Sequence, residues 1–600
     1  MKDAILNVTD NIKKRSEKTR REYLTIIKAQ ADRGTVRASL SCGNLAHTVA
    51  ACPSSQKSTI LDFTKANIGI VTAYNDMLSA HQPYRNYPEI IQKAASDLGH
   101  SAQVAGGVPA MCDGVTQGQD GMDLSLFSRD LIAQATAMSL SHNTFDATLL
   151  LGVCDKIAPG QLMGALAFGH LPTAFVPSGP MGTGISNKKK VEVRQKYAAG
   201  EAGDKELLDV ECRSYHSPGT CTFYGTANTN QLVFEAMGLM LPGCSFVAPN
   251  SALREALTQQ ITREISAQTA SSKRYRPLAE VVDEKSVVNG LVALLASGGS
   301  TNHTIHLVAV ARAAGWVITW DDIDALSSVV PLLAQMYPNG PADINDFQNA
   351  GGVPTLIKTL AERGLFYLDA TPVFGTMNDY MCYPTLESGG ALVYKAAPDS
   401  LDAEVIARPG KVFNPHGGIK LLDGNLGRGV MKVSAVAPND QTITAPARVF
   451  DSQHDVESAY LNGEFTHDVI VVLRHNGPAS NGMPELHKLM PILGNVMKAG
   501  HKVALVTDGR LSGASGKVPA VIHVTPEATR GGPLAQIEDG DVIEVNAQAG
   551  LLNCQQSFEH REATLSSTNH AQLGSGRELF HLFRQHVSSA EQGASILYPQ

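Results

Sequence analysis

The sequence predicts an α/β protein: an N-terminal parallel-sheet α/β domain followed by a C-terminal mostly β domain. Three observations predict it. From about residue 67 short apolar runs alternate with helical patterns, the signature of parallel strands joined by crossover helices. Chargeable side chains fall where apolar runs end, at the strand ends where open α/β sheets bind ligands. After about residue 395 the texture changes to short β-rich runs at turn-rich spacing.

The elements follow in order. Residues 10–32 are charged and helix-prone and predict an exposed N-terminal helix. Residues 68–71 read as a strand, 87–98 as a helix, and 147–153 and 173–176 as strands. Residues 287–296 and 303–314 read as helices flanking Ser297-Gly298-Gly299-Ser300-Thr301-Asn302. The runs 430–436, 469–473, 503–506 and 542–545 carry the second domain. The expected division is 1–395 and 396–600, with 396–410, rich in proline and charge, as the linker.

Composition narrows the function. The 600 residues are 43% hydrophobic and 18% charged, a globular composition too long for one core. The net charge of −8 gives no basic face for nucleic acid, so an anionic substrate needs a local basic pocket. Residues 157–187 lack Asp, Glu, Lys and Arg, but Pro159, Pro172, Pro177 and Pro180 break the run, which argues against a membrane span. The N-terminus shows no secretory pattern, and nine cysteines then point to reduced thiols and a cytoplasmic location. No Cys-x-x-Cys is present, which excludes a zinc ribbon or a ferredoxin-type run.

The chemistry concentrates in five places. In Leu150-Leu151-Gly152-Val153-Cys154-Asp155-Lys156 an apolar strand ends in a thiol, a carboxylate and an amine. Such groups are expensive at the end of a buried strand unless chemistry uses them. Cys221 sits in a comparable loop, Pro218-Gly219-Thr220-Cys221-Thr222, and two such thiols suggest an iron–sulfur or other metal centre. Asp113, in Met111-Cys112-Asp113-Gly114, reads either as an Asp-Gly turn or as an oxygen ligand for Mg²⁺. Lys156 reads as an ion pair, as a desolvated base, or as a carbamylated extra ligand. Glu485, in Gly482-Met483-Pro484-Glu485, is a solvated loop residue or a Mg²⁺ ligand. Ser512, in Thr507-Asp508-Gly509-Arg510-Leu511-Ser512-Gly513, gains interest only if a metal or backbone amides lower its pKa. Arg474, His475, Arg510, Lys517 and the Lys188-Lys189-Lys190 run are the candidate anion contacts.

These segments resemble the dihydroxy-acid dehydratase / phosphogluconate dehydratase family. Cys154-Asp155-Lys156-x-x-Pro159-Gly160 matches one signature, and Val506-Thr507-Asp508-Gly509-Arg510-Leu511-Ser512-Gly513-Ala514-Ser515 matches the other. Within the family, Tyr74-Asn75-Asp76-Met77-Leu78-Ser79-Ala80-His81, the Cys112 segment and Gly219-Thr220-Cys221-Thr222-Phe223 are most similar to the branch acting on a phosphorylated sugar acid. The resemblance implies a hydro-lyase of the Entner–Doudoroff pathway, a swivelling barrel-like C-terminal domain, a homodimer, and a site between the domains. It implies a 4Fe–4S cluster on Cys154 and Cys221, and a divalent cation (Mg or Mn) held by Asp113, Asp155, Lys156 and Glu485. Ser512 would be the catalytic base, with Lys156 beside it. One departure stands out: relatives with a 2Fe–2S cluster place a third cysteine where this chain has Ala80. A cluster with one iron open to substrate needs a third thiolate, and Cys112 is the expected source. Dihydroxy-acid dehydration, dehydration of an unphosphorylated aldonate, and a redox-sensing iron–sulfur protein are the competing readings.

Overall fold

A computed structural model describes residues 1–513, 515–558, 560–564 and 573–598. The fold is α/β, with an N-terminal parallel sheet among helices and a C-terminal barrel-like β domain. The parallel sheet has four strands in the order β2-β1-β3-β4: β1 (Asn67–Thr72), β2 (Ser101–Gly107), β3 (Ala147–Leu151) and β4 (Thr173–Phe175). All pairings are parallel, so every strand presents its carboxyl end at the same edge. Strand β3 is Ala-Thr-Leu-Leu-Leu and buried throughout, the run expected of a strand covered on both faces. A hairpin of β5 (Cys382–Leu386) and β6 (Leu392–Ala396) closes this part of the chain.

The C-terminal part is a closed barrel of β7 (Ile419–Gly424), β8 (Gly427–Lys432), β9 (Thr442–Phe450), β10 (Val469–Leu473), β11 (Val503–Thr507), β12 (Ala520–Thr525), β13 (Val542–Asn546) and β14 (Leu551–Cys554). Their order around the barrel is β10-β11-β12-β8-β7-β14-β13-β9. Alternation along the strands separates two cores. Ile470, Val472, Ala504, Val506 and Met431 fill the barrel interior. Val469, Val471, Leu473, Val503, Leu505 and Val430 point outward and join the core that continues into the N-terminal part.

Two expectations are revised. The N-terminal helix, Asp3–Ala31, is not simply exposed: Ile5, Val8, Ile12 and Ile27 form a buried stripe, and Arg20 donates to the carbonyls of Ala314 and Ala279. The apolar spacing begins ahead of the charged run and was hidden by it. The segment after the hairpin is no loose tether either. Val405, Ile406 and Ala407 are buried, and bridges pair Ala334 with Ile406 and Leu332 with Asn414. Among the described residues, no helix is long and apolar enough to cross a membrane.

Candidate active site

The site assembles at the carboxyl edge of the parallel sheet, against the carboxyl ends of β10 and β11. Asp113 opens a short helix (Asp113–Thr116) in the loop after β2. Cys154, Asp155 and Lys156 follow β3 directly. Cys154 adopts φ +70°, a left-handed conformation that a β-carbon makes costly and that functional sites tend to retain. From the barrel side Glu485 and Arg510 lie next to each other in a parallel bridge.

Three carboxylates converge here. Asp113, Asp155 and Glu485 each offer an oxygen, and these atoms all lie within 4.8 Å of one another. Two buried cations hold them together. Lys156 Nζ donates to Asp113 Oδ2 at 2.5 Å and to Asp155 Oδ2 at 3.4 Å. Arg510 donates to Asp113 Oδ2 at 2.9 Å, to Glu485 Oε1 at 3.4 Å and to the Met483 carbonyl at 2.7 Å. Ser125 Oγ donates to Asp113, and Gln117 Nε2 to Glu485 Oε2 at 2.7 Å.

The electrostatics follow from this geometry. Burial alone would raise Asp113, but Lys156 and Arg510 outweigh it and hold the carboxyl well below the usual range. Burial pushes Asp155 up despite Lys156, and burial with the nearby Asp113 charge pushes Glu485 up to about 7. Three carboxylates against two buried cations form a site one positive charge short. A divalent ion supplies that charge, so the donor set fits Mg²⁺ or Mn²⁺.

The three thiols sit beside this set. Burial and Asp113 push Cys112 up to about 11, and burial and Cys112 push Cys221 up to about 12. Cys154 rises well above its ordinary value through burial, then Cys112, Asp155 and Cys221. The mutual influence places all three thiols in one neighbourhood. They are no mononuclear set, since among the described residues only the carboxylate group meets single-ion spacing. One buried and two half-buried thiols that are neighbours yet fall outside single-ion spacing suit a multi-iron cluster better than one ion. Ala80 is close by: Gly219, in the Cys221 loop, donates to the Ser79 carbonyl at 2.8 Å.

Ser512 lies half-buried, two residues past Arg510. Its loop is anchored on both sides: Asn302 Nδ2 donates to the Leu511 carbonyl at 3.1 Å, and Ser515 N to the Ser512 carbonyl at 2.9 Å. A Cβ on Gly513 would come within 2.6 Å of Ser300 Oγ and of Thr226 N, so only glycine lets the loop sit this close.

The anion candidates separate. Arg510 is engaged with Asp113, Glu485 and the Met483 carbonyl. Arg474 pairs with Asp451 at 2.7 Å and donates to the Ala535 and Ile537 carbonyls. His475 is buried between Asp508 and Thr529. Lys188 is exposed at a helix start, whereas its neighbour Lys190 is buried over the rings of Tyr215 and Phe223 and is drawn down to about 8 by burial and Arg194. Lys517 reaches over the Tyr337 ring. The sequence reading overlooked Gln117 and Ser125, and it named Asn302 only as part of the 297–302 segment, without a role. They are ordinary polar residues whose role exists only once distant segments meet.

Two family models match the chain: the dihydroxy-acid/6-phosphogluconate dehydratase N-terminal model over residues 65–379, and the corresponding C-terminal model over 404–594. The chain belongs to the dihydroxy-acid/6-phosphogluconate dehydratase family. It is 56% identical over 602 residues to the phosphogluconate dehydratase of Escherichia coli (strain K12), covering 100% of both chains. It is 55% identical to that of Pseudomonas aeruginosa, over 99% of this chain and 98% of the relative. With the dihydroxy-acid dehydratase of Anaeromyxobacter dehalogenans identity is 34%, over 82% of this chain and 86% of the relative. Membership of this family makes the chain a hydro-lyase, and both signature segments fall inside the matched regions.

Proposed function

We propose that the chain removes water from 6-phospho-D-gluconate to give 2-dehydro-3-deoxy-6-phospho-D-gluconate, the dehydration step of the Entner–Doudoroff pathway. The observation that carries this reading is the three-carboxylate, two-cation set at the seam of both halves, with Ser512 on the adjoining loop. End-to-end identity with phosphogluconate dehydratases supports the substrate, and the lower identity and partial coverage with a dihydroxy-acid dehydratase disfavour that alternative.

The reaction breaks the C2–H and C3–O bonds. The C2 hydrogen is scarcely acidic beside a carboxylate, and hydroxide leaves poorly. When bound, a 4Fe–4S cluster on Cys112, Cys154 and Cys221 and a divalent ion on Asp113, Asp155 and Glu485 supply the Lewis acidity that eases both. Ser512 is the base and takes the C2 proton. Its ionised form would need the added positive charge of the bound metal groups, because Arg510 and Lys156 are already engaged by the carboxylates. Arg510 and Lys156 keep Asp113 ionised, and the hydrogen bond from Asn302 to the Leu511 carbonyl, with Gly513 packed close to Ser300, holds the Ser512 loop in place. The C3 hydroxyl leaves as water by taking up the proton that Ser512 accepted from C2, and the resulting enol loses its O–H proton to solvent as C3 gains one, which gives the ketone.

A homodimer in the cytoplasm completes the reading. Supporting the dimer, strand β2 is a free sheet edge, and Val104 on it, Met77 after β1, Val115 after β2 and Met138 are exposed apolar residues.

The test is anaerobic reconstitution with iron and sulfide, followed by keto-acid formation from 6-phosphogluconate, gluconate and 2,3-dihydroxyisovalerate. Strong preference for the phosphorylated acid is expected. Preference for either other acid overturns the substrate and keeps the chemistry. Activity on none, with a stable reducible cluster, moves the reading to redox sensing.

A further inference from the structure

Lys432 is the last residue of β8. Along that strand Met431 points into the barrel and Val430 outward, so Lys432 also points outward, toward the seam with the N-terminal half. It is only 6% exposed, and its Nζ has no hydrogen-bond partner among the described residues. A buried ammonium without a partner is among the costliest groups a fold can keep, and it calls for an anion. Burial alone draws it down to about 7.

Its position relative to Ser512 gives that anion a place. The loop from Arg510 starts at the carboxylates, passes Ser512, presses Gly513 against Ser300 and Thr226, and reaches Lys432 at Gly516. A Cβ on Gly516 would come within 3.3 Å of Lys432 Cδ and of Ala435, and within 3.6 Å of Pro338. Lys517, next along, lies over Tyr337. One loop thus runs from a carboxylate-and-cation set, past a candidate base, to two ammonium groups. That order matches a substrate whose C1 carboxylate, C2 hydrogen and terminal phosphate lie along one chain.

We infer that Lys432, with Lys517 at the rim, is the phosphate-binding group that selects the phosphorylated sugar acid over the plain one. The inference rests on the reading of the substrate as a phosphorylated sugar acid. Lys432 replaces Arg474, His475 and Arg510 in this role, since each of those already has protein partners.

The test compares wild type, Lys432→Met and Lys432→Arg as reconstituted holoenzymes. It measures kcat/KM on 6-phosphogluconate and on gluconate, and titrates the same proteins calorimetrically with inorganic phosphate. In Lys432→Met the ratio of the two kcat/KM values is expected to fall roughly 10- to 100-fold, chiefly through KM, as loss of a charge-assisted contact predicts. Phosphate binding should weaken in parallel, and Lys432→Arg should restore part of both. An unchanged ratio with unchanged phosphate binding overturns the assignment, because a merely structural lysine moves both substrates together. The melting temperature without phosphate supplies a further readout: removing an unpaired buried charge should raise it, and a fall overturns the claim that the group is unpaired. If Lys432→Met does not fold, Lys432→Gln is read by the same ratio and titration. If wild type itself prefers gluconate, the substrate reading fails, and the phosphate titration alone decides the anion site.

Discussion

Arg510 and Asp113, 397 residues apart in sequence, are joined by a buried hydrogen bond of 2.9 Å from the guanidinium to Oδ2. This contact ties the barrel to the parallel sheet at the point where the carboxylates gather. Arg510→Met should therefore cost activity and stability together. Leaving Asp113 and Glu485 without this partner is expected to destabilise by about 3–5 kcal/mol, seen as a lowered melting temperature. Arg510→Lys should recover little, since one ammonium cannot reach Asp113, Glu485 and the Met483 carbonyl at once.

Cys112 is the thiol proposed as the third cluster anchor beside Cys154 and Cys221. Cys112→Ser, reconstituted anaerobically, should hold less iron and sulfide per chain than wild type and lose its activity. Full iron content with full activity in that variant would remove Cys112 from the cluster.

Gln117 touches Glu485 and nothing else of the carboxylate set in the hydrogen bonds described. Gln117→Leu should weaken divalent-ion binding by roughly 10- to 100-fold, the range for partners that orient a ligand. The measurement is the Mg²⁺ or Mn²⁺ concentration that half-restores activity after chelation. An unchanged value would show that Glu485 needs no such support.

Gly513→Ala places a Cβ against Thr226 N and Ser300 Oγ at 2.6 Å, so the loop must shift. Ser512 moves with it. A displacement near 1 Å at a reacting group costs roughly 100-fold, so kcat should fall on that order while KM changes little. A kcat within a few-fold of wild type would mean that the loop has room elsewhere.

Lys432 sets a pH dependence whose sign is fixed. Its folded value is about 7 and its ordinary value 10.5. Between these the unfolded chain binds the extra proton, so stability rises with pH through that window. The melting-temperature gain of Lys432→Met over wild type should be largest below pH 7 and shrink toward pH 10. Phosphate binding to wild type near pH 8 should take up a proton, visible as a buffer-dependent calorimetric enthalpy that Lys432→Met lacks. A gain independent of pH would contradict the depressed value.

Much of this was legible along the chain. The apolar run 147–151 and its abrupt end in Cys154-Asp155-Lys156 identified both a buried strand and a site, because a strand covered on both faces leaves its polar residues only at its ends. The four runs read after residue 395 all overlap strands of the barrel. Its closure was not legible, because β8 and β12 meet antiparallel while β10 and β11 meet parallel, and pairing is not written in any one strand.

By itself the sequence determined the class of the fold, the two signature segments and the chemical types gathered in them: thiols, carboxylates, cations and a loop serine. Only the tertiary structure decided what each group faces. It turned Arg510 from an anion contact into the clamp on Asp113 and Glu485, and engaged Arg474 with Asp451 away from them. It also left Lys432, an unremarked residue at the end of a strand, buried beside Gly516 without a hydrogen-bond partner among the described residues. The reason is physical: a charge acts over a few ångströms of space, and which charges come that close is set by the packing of segments hundreds of residues apart.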